Sequence, residues 1–209
     1  MKWLFGMGLA VVSSTAASQN TLDFRLVSGA YEVEEGADEL EAEGGVGFNL
    51  KGQFHVNERL FIRANYLTAE PDEVEINGQD LDGVELEGTF FRVGLGLGGV
   101  NENLRYYGAL EFGDVELELS GSGGSVASDD NGLVVSVGLG DNGETAFLWE
   151  VELGLVQFDE VDGGSFEFAL GYRVNEQVAI LLSGQSYAVE DDVAEYTLGH
   201  GMLGVRIGF

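Results

Sequence analysis

The chain has 209 residues, no cysteine, one proline, 33 glycines and a formal charge of −28, with 37 acidic side chains against nine Lys and Arg. So few cations exclude a nucleic-acid binder, because phosphate contacts draw their affinity from clustered Lys and Arg. The absence of cysteine excludes a disulfide framework, a thiolate metal site and a cysteine nucleophile, and abundant glycine suits strands joined by turns better than a helical bundle.

At the amino terminus Lys2 precedes an apolar stretch from Trp3 to Val12, followed by the small residues Ser13, Ser14, Thr15, Ala16, Ala17 and Ser18. That succession reads as a secretory signal peptide over residues 1–18, cleaved after Ala17 or Ser18, with 19–209 as one exported domain. No later run approaches the roughly 18 apolar residues of a membrane-spanning helix.

From Leu22 to the end the pattern alternates with period two, which predicts an all-β chain. Ten strands follow at 22–33, 45–56, 59–70, 86–98, 104–117, 131–140, 145–158, 164–174, 177–189 and 196–209. Each is close to or above the roughly 9 to 11 residues with which a tilted strand crosses a bilayer. Short connections (Asn57-Glu58, Asn101-Glu102-Asn103, Asp141-Asn142-Gly143-Glu144, Asn175-Glu176) alternate with mostly longer acidic ones at 34–44, 70–85, 117–131, 159–164 and 190–195. A membrane-spanning, antiparallel, up-and-down barrel inserted from one side shows this alternation, with short turns toward the periplasm and acidic loops outside.

One frame of each strand is apolar. It includes Val46, Phe48, Leu50, Phe54; Leu60, Ile62, Tyr66; Phe91, Val93, Leu95, Leu97; Leu110, Phe112; Leu133, Val135, Val137, Leu139; Phe147, Trp149, Val151, Leu153, Leu155; Phe166, Phe168, Leu170, Tyr172; and Ile180, Leu182. No charged residue falls in it, although chance would place about ten among some fifty such positions. The opposite frame carries Arg25, Lys51, Arg63, Arg92, Arg105, Arg173 and Arg206 with Asp23, Glu111, Glu150, Glu152 and Glu167. A soluble sandwich would alternate similarly, but aromatic residues gather at both ends of the apolar stretches, as membrane interfaces require, and nearly every cation lies in the charged frame. The expectation is a lumen filled by a charge network.

The last residues, Gly204-Val205-Arg206-Ile207-Gly208-Phe209, resemble the terminal strand of bacterial outer-membrane proteins. That resemblance implies insertion by the outer-membrane assembly machinery, with Val205, Ile207 and Phe209 as the assembly signal. Segments such as Gly171-Tyr172-Arg173-Val174-Asn175-Glu176-Gln177-Val178 are similar to hairpins of the small porin-like, opacity-type and OmpX-like barrels. The resemblance covers nearly the whole mature chain and implies a monomer that reaches the outer membrane through the periplasm, among lipid and lipopolysaccharide. Those barrels usually have eight strands, so eight stands as the alternative to ten.

Barrels of about eight strands are just filled by side chains, so a general diffusion pore is not expected. The expected role is envelope structure or surface interaction through cation, lipopolysaccharide or adhesion contacts, with a narrow porin-like ion channel as the alternative. The dense carboxylates of the first two acidic connections could hold Ca²⁺ or Mg²⁺. Asp80-Leu81-Asp82-Gly83 is no complete calcium loop, since Gly78 would take the first ligand position. A barrel enzyme, whether protease or lipid A-modifying, is the weakest reading. His55 and His200 are the two histidines, both in the charged frame, and neither has a triad neighbour in sequence. The glycine run at Gly94, Gly96, Gly98 and Gly99 lies within a strand and reads as small inward residues in a crowded lumen, with no cofactor implied.

Overall fold

The computed structural model describes residues 20–101, 104–121 and 123–209. The signal-peptide reading and part of the Asn101-Glu102-Asn103 turn lie outside the described residues. Twelve strands form, with no helix among the described residues. They are β1 (Thr21–Glu35), β2 (Asp38–His55), β3 (Leu60–Ala69), β4 (Glu73–Ile76), β5 (Gln79–Asp80), β6 (Glu85–Asn101), β7 (Leu104–Gly121), β8 (Gly124–Asp141), β9 (Phe147–Phe158), β10 (Asp162–Arg173), β11 (Val178–Glu190) and β12 (Glu195–Gly208). Ten long strands pair antiparallel in the order β1-β12-β11-β10-β9-β8-β7-β6-β3-β2, and β1 also pairs with β2, so the sheet closes. Closure leaves no unpaired edge within the bilayer, where an unsatisfied backbone group costs several kcal/mol. The short β4 and β5 form a branch beside the top of β2.

The barrel itself has ten strands and the fold is the predicted all-β barrel, but several acidic connections are not loops. Residues 34–44 are the ends of β1 and β2, joined by a tight turn at Gly36 and Ala37, and residues 117–131 are mostly the ends of β7 and β8. The physical reason is that the alternation reverses sign along the strand. On β7 the outward side chains are Tyr106, Leu110 and Phe112, then Asp114, Glu116 and Glu118. The inward ones are Arg105, Tyr107 and Glu111, then Val115, Leu117 and Leu119. β1 repeats this, with Phe24 and Leu26 outward before Glu32 and Glu34, and Asp23 and Arg25 inward before Val27 and Tyr31. The lower barrel is apolar outside and charged inside, as lipid demands, whereas the upper barrel is acidic outside and apolar inside, as water demands.

The turns have local causes. The side-chain oxygen of Asn57 accepts from the Arg59 and Leu60 amides at 2.9 and 2.9 Å, and that of Asn175 from the Gln177 and Val178 amides at 2.8 and 2.9 Å. These are Asx turns, which explains the recurrent Asn-Glu pairs. Asp191 does the same at the opposite end, accepting from Val193 and Ala194 at 2.6 and 2.7 Å. Asn77 and Gly78, with φ of 53° and 72°, supply the two left-handed residues that the β4–β5 hairpin needs.

Candidate functional site

The lumen is built from side chains of nearly every long strand. Arg63 on β3 donates to Glu152 on β9 at 2.5 and 2.9 Å, to Glu111 on β7, and to the Ser136 hydroxyl on β8 at 2.7 Å. Arg92 on β6 lies 3.7 to 3.9 Å from Glu111, Glu152 and Glu167, so it ties three carboxylates together. Glu167 on β10 also receives Lys51 at 2.7 and 2.8 Å and Arg25 at 3.1 Å. Arg25 pairs with Asp23 at 2.5 Å, and Arg206 donates to the same carboxylate at 2.7 and 2.8 Å. Glu150 joins Arg105 at 2.6 Å and Arg206 at 3.3 Å. The Tyr107 hydroxyl lies 3.0 Å from Glu150 and 2.6 Å from Glu152.

Eleven of the predicted inward charges therefore meet in one web: Asp23, Arg25, Lys51, Arg63, Arg92, Arg105, Glu111, Glu150, Glu152, Glu167 and Arg206. Arg173 stands apart from it. It sits lower, on Asp141 at 2.5 Å and on the Thr145 carbonyl, where it ties two short turns. Sequence reasoning missed Tyr107, Ser136 and Asp141. The first two were readable as inward positions of β7 and β8, since Tyr107 is two residues from Arg105 and four from Glu111.

Inward glycines make this crowding feasible. A Cβ on Gly96 would lie 2.1 Å from the Phe61 ring, and one on Gly138 would lie 2.2 Å from the Tyr107 ring. Both rings fill the lumen under the charged web.

Above the web the interior becomes apolar. Val27, Tyr31, Leu67, Leu86, Phe90, Tyr187, Leu198 and Met202 are buried together, with Leu81, Val84, Leu117 and Leu119 packed against them. Phe90 stacks on Tyr187 with centroids 5.6 Å apart, and the Arg92 guanidinium lies 6.0 Å from the Tyr187 centroid, where the two layers meet. His200 belongs to the apolar layer. Its Nε2 lies 3.1 Å from the Tyr31 hydroxyl, its ring meets Phe90 edge-on, and its Nδ1 has no hydrogen-bond partner. His55 lines a vestibule of about 540 Å³ at the short-turn end, with Gln53, Arg59, Phe61 and Arg105.

Outside the upper barrel, carboxylates stand in register across strands. One row runs Asp162, Glu190, Glu195, Glu34, Glu39, and another runs Glu32, Glu41, Glu75, Asp80. Carboxylate oxygens of Glu32, Glu39 and Glu41 come within 4.8 Å of one another. Repulsion by Asp80, then desolvation, holds the Glu75 carboxyl above its ordinary value. Desolvation and then Glu34, Glu39 and Glu41 do the same to Glu32. Asp191 is held low by the Ala194 and Val193 amides.

A closed, ten-stranded antiparallel cylinder with an apolar outer belt, aromatic rims and a charged interior is an outer-membrane β-barrel. Solved structures agree on the fold. The Escherichia coli outer membrane protease OmpT superimposes with a TM-score of 0.66 at 9% identity, over 95% of this chain and 99% of that one. The transport unit of the Escherichia coli autotransporter AIDA-I gives 0.51 at 12% identity, over 98% of this chain and 94% of that one. Ail, the attachment invasion locus protein of Yersinia pestis, is 16% identical over 92% of this chain and 100% of that one, with a TM-score of 0.46. No protein-family model matches the sequence, and no curated protein does.

Proposed function

We propose that this barrel is a non-conducting surface protein of the bacterial outer membrane. It would hold a rigid, acidic extension above the bilayer for envelope structure or surface interaction. The observation that carries the reading is the double seal of the lumen. A permeating ion would meet buried ion pairs first, then a layer of Phe90, Tyr187, Tyr31 and Leu198 whose two phenol hydroxyls are already bonded to Gln185 and His200, a poor replacement for its water. A channel needs one continuous polar path, and two unlike plugs in series are a poor way to make one. Purified protein in a planar bilayer should give no discrete openings. Reproducible single-channel steps from the unmodified protein would refute the reading.

The acidic rows support a role for cations as counterions. A polyanionic wall next to lipopolysaccharide phosphates is repelled unless divalent cations are shared between them. In this reading the lower belt meets lipid as a monomer, Val205, Ile207 and Phe209 engage the assembly machinery after passage through the periplasm, and Ca²⁺ or Mg²⁺ gathers diffusely around the extension. Millimolar calcium should raise the melting temperature of the refolded barrel, and an unchanged melting temperature removes this part of the proposal. The protein is no hydrolase in this reading, since the surroundings of His200 are a phenol and a phenyl ring instead of a carboxylate. A folded sample assayed for protease and lipase action, with His200→Ala as control, tests that.

A further inference from the structure

The β7–β8 hairpin rises beyond its neighbour on one side. β8 is paired with β7 along its whole length, from Gly124 opposite Gly121 to Asp141 opposite Leu104. Its ladder to β9 begins only at Gly132 opposite Phe158. At the base of the free portion the Asn131 carbonyl accepts from the Asp159 amide at 3.0 Å. Above it, among the described residues, residues 124–130 have backbone partners on β7 alone. Ser125, Val126, Ala127, Ser128 and Asp129 are all exposed, Val126 by 73%. Asp130 is buried, its carboxylate accepting from the amides of Asp159, Glu160 and Val161, so the open sheet edge is the six residues 124–129, roughly 20 Å long at the rise of a strand.

Exposed edges are normally blunted by Lys, Pro, a bulge or a covering loop, because their unpaired amides and carbonyls template another strand. Residues 124–129, Gly-Ser-Val-Ala-Ser-Asp, contain neither Lys nor Pro, and their pairing with β7 shows no register shift. The edge has a definite chemistry on each face. On the outer face Asp129 stands opposite Glu116, and Ala127 opposite Glu118, which in turn faces Glu87 on β6. On the other face Val126 stands opposite Leu119. A second copy of this chain would bring the same carboxylates against these, so like charge disfavours self-pairing. No Lys or Arg of the described extension neutralises them, since the described cations lie in the lumen or at the lower rim.

We propose that the free edge of β8 binds, by strand addition, an extended segment of a cationic partner protein. The segment carries Lys or Arg at alternate positions beside Asp129 and Glu116, with apolar residues between them over Val126. Main-chain hydrogen bonds supply the affinity and the alternating side chains the selectivity.

The test uses the whole folded barrel in lipid nanodiscs and a labelled synthetic octapeptide, Thr-Lys-Val-Lys-Val-Lys-Thr-Lys. Two controls go with it, the same peptide N-methylated at alternate residues and its counterpart with Glu for Lys. Fluorescence anisotropy gives affinity, and amide hydrogen exchange locates the contact. The proposal expects binding of the Lys peptide with at least about tenfold slower exchange confined to residues 125–129, and at least about tenfold weaker binding after N-methylation. Asp129→Lys should move the preference from the Lys to the Glu peptide. Equal binding of the methylated peptide would show mere charge attraction and overturn strand addition. Protection elsewhere, no binding, an unmoved preference in Asp129→Lys, or sedimentation of the barrel as an edge-paired dimer would each overturn it as well.

Discussion

Replacing Arg63 by Met should destabilise the barrel more than any single change on its surface. Arg63 is 2% exposed, and its guanidinium holds Glu111, Glu152 and the Ser136 hydroxyl at once. Methionine fills much of the same volume but leaves Glu111 with Arg92 at 3.9 Å, and Glu152 with Arg92 at 3.8 Å and the Tyr107 hydroxyl at 2.6 Å. Removing one member of a buried, hydrogen-bonded charge pair costs about 3–5 kcal/mol, most of it from the orphaned partner. With a urea dependence of about 1–3 kcal/mol per molar, the unfolding midpoint should fall by roughly 1–5 M. Trp149, the tryptophan of β9 on the outward face, reports unfolding from lipid vesicles by its fluorescence. Adding Glu111→Gln to Arg63→Met should restore about half of the loss, because a neutral amide tolerates burial where a lone carboxylate does not. A loss under about 1 kcal/mol in the single variant, the range of solvated pairs, would show that the lumen is wet and refute the reasoning.

Three further outcomes are expected. Asp130→Ala should free the turn after β9, since the Asp130 carboxylate accepts from the amides of Asn131, Asp159, Glu160 and Val161 at 2.8 to 3.1 Å; faster hydrogen exchange at 159–161 with an unchanged lower barrel is the check. Gly96→Ala should cost about 1–3 kcal/mol, because the Phe61 ring must leave its place, and Phe61→Leu in the same chain should recover part of it in the same urea assay. The acidic extension should tighten as pH falls. Glu32 and Glu75 have carboxyl groups raised above their ordinary value, so the folded extension holds more protons than the opened one between the two values. Stability therefore rises as pH drops through that window above about 4.5 and is lower at neutral pH, opposite to the sign for Asp191. Intrinsic-rate-corrected exchange at residues 32–41 between neutral and mildly acidic pH measures it, and Glu75→Gln should reduce the effect.

The lower barrel was largely legible because one strand face there has a single job. Leu153 and Ile180 touch lipid while Glu150 and Arg206 touch each other, and a period-two pattern records that directly. The partners within the web were not legible, since Arg63 meets Glu111 and Glu152 across a lumen whose width and strand stagger no single sequence shows. The upper barrel was misread for a different reason. Residues such as Glu116 and Glu118 on β7 alternate with Leu117 and Leu119 as regularly as Phe112 alternates with Glu111, but with inside and outside exchanged. A pattern reader holding one frame sees the strand end at the exchange and takes the carboxylates beyond it for a loop. The acid density that suggested loops is the solvated skin of a second, water-facing barrel on the same strands. Its apolar filling of Tyr31, Phe90 and Tyr187 answers to the same cause.

That exchange of inside and outside can be measured directly, because the chain has no cysteine of its own and single-cysteine spin labels can be placed at will. Labels at Leu95, Leu153 and Ile180 should collide freely with oxygen dissolved in lipid and be shielded from a water-soluble nickel reagent. Labels at Glu32, Glu87 and Glu116, on the same outer faces of their sheets, should show the reverse. Nickel access at Leu153 and Ile180, or oxygen-dominated relaxation at Glu87 and Glu116, would contradict the account.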